Sequence, residues 1–171
     1  MDMGHDPTAT PTGKDLKALV VEILDDNRTM AIGTLRPDGW PQVTTVGYVH
    51  DDLTIFFVVA RDSQKLANLR RDPRVSIAIG HHGHDEMAVR GLSMAARVEE
   101  VTEPDEIRRL NTMIWQRYPN IAVFAPREVN SAVLRARPHL ISVVDDTRGL
   151  ATPAAFEVSA QVDLATLQAA S

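Results

Sequence analysis

The sequence predicts a mainly β domain with flanking helices, its strands arranged antiparallel in a partly closed barrel. Three observations predict it. Five or six short runs of β-branched and apolar residues are separated by turn chemistry. Helices interrupt them without the regular strand–helix–strand alternation of a parallel sheet. One run, LTIFFVV, is apolar at every position, as expected of a strand covered on both faces.

The elements follow in order. Residues 1–14, rich in Thr, Pro and Gly without periodicity, read as a flexible arm. Leu16, Leu19, Val20, Ile23 and Leu24 then recur at the spacing of one helical face, giving a surface helix of three turns. Residues 29–59 read as three antiparallel strands, with Pro37-Asp38-Gly39 and Asp51-Asp52 as the turns between them. One face of LTIFFVV fits inside a barrel; the other needs a helix or a partner subunit.

After residue 60 a short helix carries Leu66 and Leu69 one turn apart and is closed by Asp72-Pro73. Residues 74–80 form a fourth strand, 81–86 a polar loop and 87–100 a long fifth strand. Ile107, Leu110, Ile114 and Tyr118 mark a helix starting near Pro104, a residue suited to a first helical turn. Residues 127–136 are compatible with another short helix and 139–144 with a sixth strand. The tail from Asp145 has an ambiguous pattern, with FEVSAQV compatible with a strand and LATLQAA with a last helical turn. The expected organisation is an arm (1–14), one domain (15–150) and a C-terminal extension (151–171).

Composition narrows the function classes. The 171 residues are 44% apolar and 24% charged, an ordinary globular balance, and only 5% aromatic, so Val, Leu, Ile and Ala must build the core. A formal charge of -5 argues against a nucleic-acid partner, which requires a net basic face. With no cysteine, disulfides, thiolate catalysis and cysteine-ligated zinc are excluded. No run approaches the roughly 18 apolar residues of a membrane span, and residues 1–14 lack the layout of a secretory signal. A soluble, cytoplasmic protein without a membrane partner is expected.

The segment ARDSQKLANLRRDP is the leading candidate site. Asp62 or Ser63 suits a helix N-cap, so free N–H groups point outward near Ser63, Gln64 and Lys65. Arg61 and Lys65 sit at the same end, where the helix dipole is already positive and a cation is unfavourable by roughly 0.3–1 kcal/mol. A phosphate accepting from these N–H groups, the Ser63 hydroxyl and the Lys65 ammonium would relieve the conflict. The alternative is that both cations are solvated and paired with Asp62.

Other candidates are weaker. His81, His82 and His84 with Asp85 and Glu86 offer metal-ligand chemistry, but a loop with adjacent histidines seldom fixes a tetrahedral geometry, so no metal is expected. Trp40 and Trp115 could cover a planar ligand, sit at an interface or be half-buried by packing. Arg90, among apolar neighbours, could reach an anion or lie on the surface. No Ser-His-Asp site, Walker loop or dinucleotide glycine fingerprint is present; Gly33, Gly39 and Gly47 read as turn or bend glycines.

From about residue 29 to 100 the chain resembles the pyridoxamine-5′-phosphate-oxidase-like FMN-binding split-barrel superfamily. The match is carried by TLRPDGWPQVTTVGYV, LTIFFVV, DSQKLANLRRDPRVSIAI and AVRGLSMAARVEEV. The resemblance implies a split β-barrel of FMN-binding type. It also implies phosphate contacts at Ser63 and Lys65 with Gln64 between them, a cofactor wall at Val58 and Val59, and ring contacts at Val43, Thr44 and Thr45. It implies a homodimer with cofactor sites between subunits. True pyridoxamine phosphate oxidases look to have Ser-Arg-Lys and Tyr-Thr where Ser63-Gln64-Lys65 and Val58-Val59 stand, so vitamin B6 activity is not expected. The expected function is an FMN-dependent oxidoreductase acting on a small molecule, with no catalytic side chain named. The alternatives are a deazaflavin-dependent reductase and a non-enzymatic flavin- or haem-binding module.

Overall fold

The chain enters its sheet through one amphipathic helix. The computed structural model describes residues 13–82, 89–119 and 130–158. Helix α1 (Gly13–Asp26) buries Leu16, Leu19, Val20, Ile23 and Leu24, the five residues of the expected face. It starts inside the expected arm, whose remainder, 1–12, lies outside the described residues. The last turn of α1 carries no cation and ends in Asp25 and Asp26, the wrong charges for the negative end of a helix. Arg117 compensates: its Nη2 donates to the carbonyls of Leu24 and Asp25 at 2.8 and 3.1 Å.

Strands β1 (Thr29–Leu35) and β2 (Pro41–Gly47) form a hairpin. Its turn places Gly39 at φ 87°, in the left-handed region that glycine occupies without strain. The run expected to continue as one strand then breaks at Tyr48, so residues 29–60 hold four strands rather than three. Strand β3 (Val49–Asp51) pairs with β4 (Thr54–Ala60). The corner is held by Tyr118, whose hydroxyl accepts from the Tyr48 N–H at 3.1 Å and donates to the Tyr48 carbonyl at 2.7 Å.

Helix α2 (Gln64–Arg71), β5 (Arg74–His82), β6 (Val89–Glu100) and α3 (Pro104–Arg117) follow close to the expected spans. His81 and His82 belong to β5, not to a loop; residues 83–88 lie outside the described residues. Strand β7 (Ser131–Asp145) replaces the short helix envisaged for 127–136. This strand contains Pro138, although proline lacks the N–H that a central strand needs. The strand accommodates it at a bulge, where Ala95 pairs with Leu140 and Ala96 with Pro138. A 3-10 turn, Asp146–Arg148, leads into β8 (Leu150–Glu157), which pairs with β7, so the sheet continues beyond the expected domain boundary at residue 150. LATLQAA lies outside the described residues.

The sheet order is β2-β1-β5-β6-β7-β4-β3, every pair antiparallel, with β8 also beside β7. The sheet curls into the half-barrel of a split β-barrel. The long β7 serves two neighbours along one edge: β4 from residues 131 to 136 and β8 from 140 to 145. Ile32, Ile55, Phe57, Ile77, Met94, Leu134 and Ile141 fill the interior together with the apolar face of α1.

The all-apolar run is thereby explained. Ile55, Phe57 and Val59 point into the barrel, while Phe56 and Val58 meet Leu110 and Ile114 of α3 and the Tyr118 that follows it on the other face. A helix, not a partner subunit, covers the second face. Among the described residues, no helix is long and apolar enough to cross a membrane.

Candidate functional site

The sequence S-Q-K-L starts α2 as expected, with Ser63 as its N-cap in an extended conformation. The Ser63 hydroxyl accepts from the Leu66 N–H at 3.2 Å and donates to the Ala60 carbonyl at 2.6 Å. Only its proton must rotate for it to serve another acceptor. The N–H groups of Gln64 and Lys65, first and second in the helix, have no intrahelical acceptor.

A cavity of about 300 Å³ lies where β2, the end of β4 and the start of α2 converge. Thr44, Val58, Val59, Ser63, Gln64 and Lys65 line it, six of the nine expected residues, together with Gln42 and Ala60. Val43 and Thr45 do not. Successive side chains of a strand point to opposite faces, so only Thr44 of this triplet can face the cavity. Val43 is 68% exposed on the other side of the sheet.

Arg61 is also absent from the lining. Its Nη1 reaches Glu100 at 2.7 Å, while Arg70 Nη2 holds the other carboxylate oxygen at 3.1 Å. The hydrogen bonds from Arg70 and then Arg61 keep the Glu100 carboxyl below its ordinary value. In this structure Arg61 is paired with Glu100 rather than with Asp62.

Lys65 behaves differently. It is half-buried, desolvation lowers its pKa from the usual lysine value, and among the described residues it has no carboxylate partner. Beside it in the lining, the Thr44 Oγ1 is buried without a hydrogen-bond partner. A desolvated cation and an orphan hydroxyl in one cavity fit an anionic, hydrogen-bond-accepting group. Gln42 and the Asn68 behind it were missed from the sequence, and both belong to the cavity's hydrogen-bond network. Period-2 alternation through Thr44 could have found Gln42; nothing local points to Asn68.

The remaining candidates fall elsewhere. Arg90 meets Glu22, Asp26 and Asp145, so its charge is already compensated. Trp40 and Trp115 are 73% and 42% exposed, and neither lines the cavity. The side chains of residues 81–86 lie outside the described ones, so the expected absence of a metal there is unaddressed. A larger cleft of about 540 Å³ spreads over the outer sheet face around Ala31, Gly80, Gly91 and Ser142. Its one guanidinium, Arg90, is neutralised, so the smaller cavity has the stronger chemical case.

Comparison with known proteins agrees with this architecture. A family model described as pyridoxamine 5′-phosphate oxidase matches residues 16–145. No curated protein matches the chain by sequence. A conserved hypothetical protein from Mycobacterium tuberculosis superimposes with TM-score 0.69 at 24% identity, covering 93% of this chain and 99% of that one. The heme storage protein HutZ from Vibrio cholerae gives TM-score 0.62 at 17% identity, covering 83% and 94%. A FAD-binding protein from Mesorhizobium loti gives 0.59 at 18%, covering 71% and 88%. At these identities the likeness is one of fold.

Proposed function

The chain belongs to the pyridoxamine 5′-phosphate oxidase family, and from that premise we propose that it is an FMN-dependent oxidoreductase acting on a small molecule. The observation that carries this reading is Lys65, a desolvated cation without a carboxylate partner among the described residues, in one cavity with the orphan Thr44 hydroxyl. A phosphate there would accept from Lys65, Thr44 and the first N–H groups of α2. Charge-assisted hydrogen bonds of this kind contribute about 1.5–3 kcal/mol each. Val58, Val59 and Ala60 border the cavity at the end of β4. Bound flavin would supply the electron or hydride transfer, leaving binding and orientation to the chain.

A deazaflavin coenzyme is the second reading of the same site, since its phosphate-bearing tail has the same chemistry. The non-enzymatic alternative is a flavin- or haem-binding module, in keeping with the fold shared with a heme storage protein. The cavity lining supports flavin over haem, for among the described residues it contains no imidazole, thioether or phenol that could ligate iron.

We also propose a homodimer, on grounds different from those first expected. With α3 covering β4, the apolar surface left uncovered among the described residues is the outer face of β1, β2, β5, β6 and β7. There the small residues Ala31, Gly33, Ala78 and Ser93 lie on the strands between Val43 of β2 and Leu140 of β7, the last two 68% and 40% exposed.

Titration of the purified protein with FMN and riboflavin tests the cofactor. FMN is expected to bind at least about tenfold more tightly, a difference of ~1.4 kcal/mol. Equal affinities would remove the phosphate site. Bound FMN that no nicotinamide or other donor reduces would favour the non-enzymatic module.

A further inference from the structure

Behind the cavity, wholly buried between α2 and the sheet, lies the amide of Asn68. Its Nδ2 donates to Thr34 Oγ1 at 3.1 Å and to Gln42 Oε1 at 3.2 Å, and its Oδ1 accepts from Gln64 Nε2 at 2.9 Å. Burying an amide costs free energy unless its hydrogen bonds are made, and here all three reach β1, β2 or α2. Two of the partners, Gln42 on β2 and Gln64 on α2, line the cavity.

These bonds have a direction. With its Oε1 held by Asn68, Gln42 keeps its NH₂ group for the cavity, beside Thr44 and Lys65. The reverse arrangement, with the Asn68 oxygen facing Gln42, would present the Gln42 carbonyl oxygen to the cavity and repel an anion. We propose that Asn68 is a positioning residue that sets the orientation of the Gln42 amide, making Gln42 a donor to the ligand's phosphate. The proposal rests on the phosphate site proposed above. Asn68 acts through Gln42 and need not touch the ligand.

The test is a double-mutant cycle with Gln42→Met, Asn68→Leu and both together, titrated with FMN and with riboflavin, and with urea unfolding measured alongside. Each single variant is expected to lose roughly tenfold in FMN affinity, the equivalent of ~1.4 kcal/mol, and to keep its riboflavin affinity. For FMN the double variant is expected to be no worse than either single one, because the two residues act as a unit. Additive losses for FMN, or equal losses for FMN and riboflavin, would overturn the positioning role.

Wild-type protein that binds FMN and riboflavin alike would overturn the phosphate site itself, and the donor role of Gln42 with it. Wild-type discrimination that survives in the variants would overturn only the present inference. Should Asn68→Leu not fold, Gln42→Glu decides. Its carboxylate still accepts from Asn68 but turns an oxygen toward the cavity, so FMN must bind at least tenfold more weakly, again ~1.4 kcal/mol, with riboflavin unchanged. Unaltered FMN affinity in that variant refutes the proposal.

Discussion

Arg90 Nε donates to Asp145 Oδ2 at 3.1 Å across the β6–β7 ladder, where the two residues stand directly opposite each other. The same guanidinium reaches Glu22 at 2.7 Å and Asp26 at 2.6 Å on α1. One cation therefore joins two strands to the helix that closes the barrel. The Asp145 side chain is fully buried and that of Arg90 is 13% exposed, so solvent screens the contact little.

Removing the cation would leave the buried Asp145 carboxylate with only Thr147 and the more distant Arg148, at 3.6 Å, to compensate it. Arg90→Met is expected to cost about 3 kcal/mol in urea unfolding, the scale of breaking one side of a buried ion pair. Arg90→Lys should fall between wild type and Arg90→Met, because it keeps the charge but not the forked geometry. A loss in Arg90→Met smaller than about 1 kcal/mol would mean that α1 docks by apolar contact alone.

Acid should expose the same network. Burial pushes the Asp145 carboxyl up, but the hydrogen bonds from Thr147 and Arg90 outweigh it, for a net lowering from 3.8. Asp72 is lowered to about 2, chiefly by its hydrogen bond from Arg74. A depressed folded-state value contributes stability above the unfolded value and loses it as pH falls through the folded one. The stability difference between wild type and Asp145→Asn is expected to be constant near neutrality and to shrink below about pH 4. A difference independent of pH would place the effect outside ionisation.

Lys65 predicts an alkaline limit. Desolvation lowers its pKa from 10.5, and only the ammonium form attracts a phosphate. FMN affinity should therefore fall as pH rises toward that lowered value, beginning earlier than for an ordinary lysine. Lys65→Met should bind FMN roughly ten- to a hundredfold more weakly and show no alkaline fall. Without cofactor the variant should be no less stable than wild type, since in the folded state the charged form carries a desolvation penalty. An identical alkaline profile in both proteins would exclude Lys65 as the titrating group.

Strands β5 and β6 come close at a facing glycine pair. A Cβ on Gly80 would lie 2.7 Å from the Arg90 carbonyl oxygen, and one on Gly91 2.7 Å from that of Ile79. Backbone cannot yield as a side-chain tip can, so each alanine variant is expected to lose about 1–3 kcal/mol. Thermal unfolding of Gly80→Ala and Gly91→Ala checks this, with melting points equal to wild type as the contrary result.

The proposed dimer interface can be charged directly. Val43→Glu and Leu140→Glu place carboxylates on the exposed outer face without disturbing the barrel interior. Light scattering at micromolar concentration is expected to show a dimer for wild type and a monomer for the pair of substitutions. A wild-type monomer would remove the dimer; a variant dimer would move its interface to another face.

Local chemistry was legible in the sequence because the contacts concerned span a few residues. The buried face of α1 follows from i, i+3, i+4 spacing, and the Ser63 cap from an oxygen three residues before the N–H that it accepts from. Lys65 stands out because it is a cation at the positive end of its own helix.

Tertiary structure decided what depends on distant partners and on strand parity. Whether Thr44 or its neighbours Val43 and Thr45 face the cavity rests on which side of β2 meets β4 and α2, and a shift of one residue would exchange them. Arg61 turns to Glu100, 39 residues away, and Asn68 to Gln42, 26 away, pairings that no local pattern contains. The apolar run of β4 announced two covered faces but not that α3 covers the second, and nothing local shows that β7 absorbs Pro138 in a bulge. Spacing along the chain determines hydrogen bonds made within a turn; the register of the closed sheet determines which distant side chains share a cavity.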